Sequence, residues 1–272
     1  AIAAGREKFG NDARVELVHA SFDELGEVLA ERGLDGGVNG VLLDIGVSSP
    51  QIDRPERGFS FSADGALDMR MDPSSGQSAA DWLAAADERD MSRVIRQFGE
   101  ERFARRSAAA IATARDARPL TTTAELADVV SAAVPRSKDR IHPATRTFQA
   151  IRIFINDELG QLNRVLPQAV DALCVGGRLA VICFHSLEDR IVKRFFRDGS
   201  RVDPVFAGLP DIPLHAQPVL ATVTRRVRAA TPFIDTLGIT IVSAGEGQAV
   251  ARLPVTPSLT QDLGHPHGGV IG

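Results

Sequence analysis

Two short apolar runs, each closed by a polar residue, set the frame of the predicted fold. Val41–Leu43 lies between Gly40 and Asp44, and the run Arg178–Phe184 stops at His185. Short apolar runs next to glycine are typical of strands buried on both faces of a parallel sheet. Ligands of open α/β sheets bind at the carboxyl ends of the strands, so Asp44 is predicted to face a crevice. An ordinary polar turn is the alternative at this position.

Helical periodicity surrounds these runs. Residues 1–8 and 23–32 are predicted helices, and the alternating stretch 15–19 between them is a predicted short strand. A long helix is predicted over 148–166, and Gly176-Gly177 is predicted to form a turn. Ser186 is the expected N-cap of a further helix, with Asp189 three residues later. This β-α-β order indicates an α/β fold with a parallel sheet.

The α/β rhythm stops at Ser49 and resumes only after a helical block. Helical patterns start near Ser78 and cover 90–98 and 101–113, and Thr122 with Glu125 forms a capping-box pattern before a fourth helix. No strand is predicted between Ser62 and Thr145, so the block is expected to be an inserted subdomain. The predicted divisions are a core over 1–62, a helical insertion over 63–145, a second core part over 146–230 and an atypical tail over 231–272 with one strand at 238–242.

Composition excludes several classes of protein. The sequence has no apolar run of about 18 residues and no charged-then-apolar leader, which predicts neither a membrane partner nor a secretory signal. Cys174 and Cys183 both lie beside an apolar strand pattern and are expected to be buried thiols in a reducing, cytoplasmic compartment. His265 and His267 lack Cys or acidic partners, so no metal site is predicted.

Charge is unevenly distributed along the chain, although the net charge is only −4. Residues 1–72 hold 7 Lys/Arg against 14 Asp/Glu. Residues 89–118 hold 8 against 4, and residues 136–152 hold 5 against 1. Basic segments on an acidic chain fit local contact with a phosphate backbone, although a solvated helix face is the alternative.

Five motifs occur in one order along the chain. They are Leu42-Leu-Asp-Ile-Gly-Val-Ser-Ser-Pro-Gln51, Arg57-Gly-Phe-Ser-Phe61, Leu67-Asp-Met-Arg-Met-Asp72, His142-Pro-Ala-Thr-Arg-Thr-Phe-Gln149 and Phe184-His-Ser-Leu-Glu-Asp-Arg-Ile-Val-Lys-Arg194. With these motifs the chain resembles the small-subunit ribosomal RNA N4-cytidine methyltransferase H family, also called the MraW family, from its start to about Ala230. The resemblance implies a Rossmann-like class I methyltransferase sheet with a helical insertion, S-adenosylmethionine as cofactor, and methylation of the exocyclic N4 of a decoding-centre cytidine in 16S rRNA. The implied partner is 16S rRNA or the small ribosomal subunit, and a homodimer is left open.

The resemblance also implies site residues around the first of these motifs. Phe22, Asp44 and Gln51 resemble cofactor-contacting positions, with Phe22 beside the adenine; a core aromatic at the start of its helix is the alternative for Phe22. The segment Ser48-Ser49-Pro50 stands where related amino-methyltransferases carry a Pro-Pro-aromatic loop that accepts hydrogen bonds from the target amine. Acceptors on the N–H groups favour the tetrahedral nitrogen that attacks a methyl group. A second Ser and Gln51 depart from that loop pattern.

The target cytidine must be reached as an unstacked base, which calls for phosphate and stacking contacts. Residues predicted to contact RNA are His142, Arg146, Phe148, Arg152 and His185. Two of these have alternatives: Phe148 as the apolar anchor of its helix, and His185 as a capping or orienting residue.

The sequence departs from the family pattern at both ends. The strand, glycine-rich loop, second strand and ribose-binding acid that precede this region in the family are not found, and the tail after Thr231 has no family pattern. We therefore expect the 272-residue chain by itself to bind S-adenosylmethionine very weakly, with unpaired strand edges open to water. Calorimetric titration tests this, and micromolar binding would contradict it. The alternative function is a catalytically inactive RNA-binding fragment of such an enzyme.

Overall fold

The computed structural model describes residues 2–135 and 141–220, and the backbone of 240–245 and 248–252. The chain divides into two compact units. One comprises Ala1–Ile45 with Gln161–Gly272, and the other is Gly46–Gly160.

The first unit has a parallel two-stranded sheet with helices before and after it. In chain order its elements are α1 (Ile2–Phe9), a 3-10 turn (Phe22–Glu24), α2 (Leu25–Ala30), β1 (Val38–Asp44), most of α9 (Glu158–Ala172), β2 (Leu173–Ile182), α10 (Ser186–Gly199), a 3-10 turn (Leu214–Ala216), and an antiparallel pair, β3 (Thr240–Gly245) with β4 (Gln248–Arg252). The parallel α/β fold is confirmed for β1 and β2, which run side by side with Asp44 opposite Ile182. The predicted strand at 238–242 falls partly on β3 and partly outside the described residues.

The predicted Gly-Gly turn lies inside β2. Val38 pairs with Leu173 whereas Gly40 pairs with Arg178, so β2 carries extra residues between these two points. Gly176 has a φ of 85°, a conformation that glycine adopts without steric cost. The predicted turn was therefore wrong: Gly176 and Gly177 lie within β2, which continues past a shift in its pairing with β1.

Burial in the first unit is one-sided. Its core contains Leu43, Ile45, Leu162, Val165, Leu166 and Val192. Leu42, on the opposite face of β1, is 43% exposed, so the prediction of a strand buried on both faces was wrong for this chain. The predicted strand at 15–19 is not formed, and Val15 and Val18 are exposed. A strand needs a hydrogen-bonding neighbour, and in the described part of the chain β1 and β2 pair only with each other.

The second unit is helical, as predicted. Its helices are α3 (Ser49–Ile52), α4 (Ala79–Ala85), α5 (Glu88–Gly99), α6 (Ala104–Ala117), α7 (Thr123–Ala133) and α8 (Thr145–Ile155), with a 3-10 turn at Pro55–Arg57. The Ser78 N-cap and the Thr122–Glu125 capping box are both confirmed. The core includes Leu67, Met69, Leu83, Met91, Ile95, Ile111, Leu126 and Ile151.

The helical unit is wider than the predicted insertion at 63–145, because segments on both sides pack onto it. The Asn156 side chain donates a hydrogen bond to the Met69 carbonyl (2.8 Å) and accepts one from the Met71 amide (2.7 Å). These bonds join the end of α8 to the irregular segment before α4. Phe148 and Ile151 of α8 also belong to the helical core.

Two helix boundaries differ from prediction. The long helix expected over 148–166 is two helices, because Asp157 adopts a φ of 48° and ends the first of them. The N-cap of α10 is His185 with Glu188 three residues later, one position before the predicted pair Ser186 and Asp189. No helix within residues 2–135 and 141–220 is long and apolar enough to cross a membrane.

Candidate functional site

Asp44 ends β1 at the carboxyl edge of the parallel sheet. Its side chain is exposed and has no hydrogen-bond or ion-pair partner within the described ranges. Partial burial nevertheless raises the pKa of the carboxyl group above its ordinary value. An acid whose ionised form is desolvated and unpaired at a strand end is suited to accept hydrogen bonds from a cationic or amino group of a ligand.

His185 and Glu188 form a second polar group at the same edge, directly after β2. Glu188 is 2% exposed. One of its carboxylate oxygens accepts hydrogen bonds from the backbone N–H groups of Phe184 (2.8 Å) and His185 (3.2 Å). Its other oxygen lies 3.2 Å from Nε2 of His185. Burial acts to raise the pKa of Glu188, but the interactions with His185 and the backbone outweigh it and leave the pKa lowered.

His185 is held mainly by this local arrangement. Its side chain is 12% exposed, and neither ring nitrogen completes a hydrogen bond of good geometry with any residue of the described segments. The capping and orienting alternative fits its position at the start of α10. Direct contact of His185 with RNA stays a prediction.

Cys183 lies between β2 and His185 and is not a candidate nucleophile. Burial, with Glu188 and Asp189 nearby, raises the pKa of its thiol to about 12. The thiolate is the reactive form of cysteine, so the thiol is inert near neutral pH.

We expect iodoacetamide to alkylate Cys183 roughly a thousandfold more slowly in the folded chain than in the urea-unfolded chain at pH 8, because the raised pKa removes thiolate. Peptide mass mapping over time measures this rate. Cys183 in the unfolded chain is its own control, and equal rates in the two states would contradict the expectation.

Phe22 begins the 3-10 turn before α2 and packs, half-buried, against the core that includes Leu43 and Ile45. The next residue, Asp23, forms an ion pair with Arg164 at 2.7 Å. The Asp23 carbonyl accepts a hydrogen bond from the Gln168 amide at 2.7 Å. This packing supports the core-aromatic alternative, and the contact of Phe22 with adenine stays a prediction.

Ser48 and Gln51 form a compact cap at the start of α3, within the helical unit. The backbone N–H and the hydroxyl of Ser48 both donate to Oε1 of Gln51, at 2.8 and 2.9 Å. Because a backbone N–H must donate to an acceptor, the bonded atom of Gln51 is the oxygen. The Ser48 hydroxyl proton is thereby directed at Gln51, and a lone pair of the Ser48 oxygen remains available as an acceptor. Ser49 and Pro50 occupy the first turn of α3, where proline is favoured because its missing N–H is not needed.

The predicted RNA-contacting residues of the helical unit have different environments. His142 is exposed, and its ring centroid lies 4.6 Å from that of Phe61. Phe61 in turn meets Phe148 edge-on at 4.7 Å. Phe148 itself is 4% exposed, which supports the anchor alternative, and its contact with RNA stays a prediction.

Phe61 is the aromatic ring that sequence reasoning missed. It is half-buried, between an exposed imidazole and a buried ring. The signal was present in Arg57-Gly-Phe-Ser-Phe61, where phenylalanines alternate with small residues, but no role was assigned to it. Phe61 and His142 together offer an accessible aromatic surface in the helical unit.

The two arginines predicted to contact RNA also have different surroundings. The Arg152 guanidinium makes a bidentate ion pair with Glu158, with distances of 2.7 and 2.8 Å, and both side chains are largely buried. An internal carboxylate thus pairs with the Arg152 guanidinium, and the contact of Arg152 with RNA stays a prediction. Arg146 is half-buried with no ion-pair partner in the described segments, and its contact with RNA stays a prediction.

Comparison with known proteins shows which family and which relative the chain is similar to. The sequence pattern of the MraW methylase family matches residues 1–233. A protein of Nitrosococcus oceani named ribosomal RNA small subunit methyltransferase H is 57% identical over 210 residues, which cover 77% of this chain and 67% of the relative. The matched region of the family contains both the sheet edge around Asp44 and the Ser48–Gln51 cap.

Proposed function

The chain belongs to the MraW methylase family, and we propose that it methylates the exocyclic N4 of a decoding-centre cytidine in 16S rRNA with S-adenosylmethionine as donor. Family membership supports the methyl transfer, and the name of the Nitrosococcus oceani relative supports ribosomal RNA of the small subunit as substrate. The observation that carries the cytidine amine as target is the Ser48 hydroxyl, oriented by Gln51 so that its oxygen can accept.

Some residues of the first unit fit the proposed cofactor. Asp44 offers an unpaired carboxylate for the ammonium or adenine amino group, and Phe22 offers an apolar ring beside the same core. S-Adenosylmethionine, when bound, supplies an electrophilic methyl group on a sulfonium. The glycine-rich loop that would hold the rest of the cofactor is not found in residues 1–272.

The chemical problem at the acceptor is the weak nucleophilicity of a ring-conjugated amine. Its lone pair is delocalised, and a hydrogen-bond acceptor on the N–H favours the geometry in which the lone pair points away from the ring. The Ser48 oxygen performs this role in the proposal, and Gln51 keeps the hydroxyl proton directed away from the amine. Gln51 is thereby a positioning residue in addition to its predicted cofactor contact.

The activity is tested by mass spectrometry of nucleosides from 16S rRNA incubated with the protein and labelled donor. The 272-residue chain is assayed by itself and with any codons upstream of Ala1 restored, on free rRNA and on the small subunit. N4-Methylcytidine formed with either protein form supports the proposal. Its absence from all four reactions would overturn the proposal and, if RNA still binds, would favour the binding-only alternative.

We expect Ser48→Ala to lower the methylation rate about tenfold, the equivalent of one neutral hydrogen bond, with unchanged donor affinity. Gln51→Glu retains an acceptor for the Ser48 hydroxyl, whereas Gln51→Ala removes it and should reproduce the Ser48→Ala loss. Single-turnover kinetics measure the rate, and calorimetry the donor affinity. A Ser48→Ala rate equal to wild type would exclude Ser48 from the amine contact.

The remaining predictions concern the RNA contacts, the oligomeric state, a metal and the location of the protein. His142 and Arg146, with Phe61 added, are the proposed base and phosphate contacts of the helical unit. A homodimer, the absence of a metal and a cytoplasmic location remain predictions.

A further inference from the structure

The outer side of α10 carries a row of cationic side chains that the proposed chemistry does not use. Four exposed residues make up this row, which we call the α10 cationic face. Their spacing of three, one and three residues places them on one side of the helix. The opposite side carries Ile191, Val192 and Phe195, which pack in the core of the first unit. The members of the face are Arg190, Lys193, Arg194 and Arg197.

These side chains border a shallow, open depression of about 400 Å³ along α10, together with Ser186 and Asp189. Two side chains of the face form ion pairs with acids of the same helix. Asp189 pairs with Lys193, and Asp198 pairs with Arg197 at 2.8 Å. All four of these side chains are about half exposed, and ion pairs in such surroundings contribute little. A phosphate group that approached the face would therefore displace the acids at small cost.

The surrounding charge makes the face distinctive within its unit. Residues 1–45 hold 4 Lys/Arg against 9 Asp/Glu. A polyanion would be repelled by that segment and attracted to α10, so the charge distribution selects a direction of approach.

The α10 cationic face starts close to the sheet edge at which the proposed reaction takes place. The helix begins immediately after His185, at the carboxyl edge of β1 and β2 where Asp44 also lies. From Ser186 to Arg197 the helix rises about 16 Å, which matches several nucleotides of a stacked strand. An RNA strand that follows α10 thus has one end at the sheet edge.

We propose that the α10 cationic face binds backbone phosphates of the rRNA strand beside the target cytidine. That the bound strand is rRNA rests on the proposed function, whereas phosphate binding is inferred from the charges of the α10 cationic face alone. The contacts are electrostatic and independent of base sequence, so they place the strand while other residues select the base.

The test compares two triple variants of the same chain that lose the same charge from the same unit. One is Lys193→Gln, Arg194→Gln and Arg197→Gln on the face. The control is Arg6→Gln, Lys8→Gln and Arg14→Gln, all exposed residues in or after α1. Fluorescence anisotropy with a labelled single-stranded RNA measures the affinity between about 50 and 200 mM salt, without cofactor. Circular dichroism verifies that both variants fold.

Three lost phosphate contacts should lower the slope of log affinity against log salt by about 2 for the face variant. The control variant should change the slope by less than a quarter of that amount. Equal slopes for the face variant and wild type, or equal losses in both variants, would overturn the proposal. This binding experiment does not depend on methylation. If the protein shows the expected slope change but forms no N4-methylcytidine in the activity assay, the proposed function is rejected and the phosphate-binding site is retained.

Discussion

Gly58→Ala is expected to destabilise the helical unit by about 3 kcal/mol, whereas Gly76→Ala should cost about 1 kcal/mol. Both glycines have a φ of 74°, where an L-residue loses roughly 1–2 kcal/mol. The two sites differ in the space available for a Cβ atom. A Cβ at Gly58 would lie 2.5 Å from the Ala66 carbonyl oxygen and 2.7 Å from the Asp68 amide nitrogen, whereas at Gly76 nothing lies within 4 Å. The conformational strain is therefore common to both variants, and only Gly58→Ala adds a backbone clash.

The clash matters because Gly58 ends the 3-10 turn Pro55–Arg57 and lies against the segment that supplies core residues. The Met69 amide donates to the Arg57 carbonyl at 3.0 Å, and Leu67 and Met69 are both fully buried. Urea unfolding followed by the fluorescence of Trp82, the single tryptophan and a member of the same core, measures the free energy of unfolding. Equal destabilisation by the two substitutions would contradict the predicted clash.

Glu188→Ala is expected to destabilise the first unit by about 3 kcal/mol. The substitution removes a buried carboxylate that accepts two backbone hydrogen bonds and lies against His185. Glu188→Gln keeps an acceptor oxygen and should cost about 1 kcal/mol at neutral pH. Hydrogen exchange of peptides spanning residues 180–200 is the measurement, because Trp82 belongs to the other unit. Similar exchange in wild type and Glu188→Ala would contradict the expectation.

The same carboxylate makes this region sensitive to acid. The pKa of Glu188 is lower in the folded chain than its ordinary value, so its ionised form stabilises folding. This contribution is fully present above the unfolded pKa of about 4.3 and is lost as the pH falls through the folded pKa. Exchange in Glu188→Gln should lack this dependence below about pH 5, which separates Glu188 from other acids that titrate in the same range.

Much of the local structure could be predicted because it depends on neighbours in the sequence. Ser78 and Thr122 cap the helices that follow them, since a short polar side chain and the nearby exposed N–H groups suffice for a cap. Asp44 ends its strand at the sheet edge for a similar reason, because an apolar run followed by an acid marks the end of a strand. The errors at Asp157 and Ser186 were also local: a positive φ and a one-residue shift of a cap have weak sequence signals.

Contacts between distant residues explain what could not be predicted. The stretch 15–19 has the composition of a strand but pairs with no strand among the described residues, so it stays irregular. His142, Phe61 and Phe148 are brought together from two sequence motifs, and only their stacking order leaves Phe61 accessible and Phe148 buried. Arg146 and Arg152 are equivalent in the sequence pattern, but a carboxylate at the start of the next helix pairs with one of them.

The sequence by itself determined the family, the helical block within an α/β frame, and the polar residues that close the first strand, because ordered motifs and hydrophobic periodicity need no knowledge of contacts. Only the tertiary structure decided which ring and which guanidinium are accessible, and that Gln51 orients the Ser48 hydroxyl. Accessibility and hydrogen-bond direction depend on where other atoms lie in space, and a linear pattern does not contain those positions.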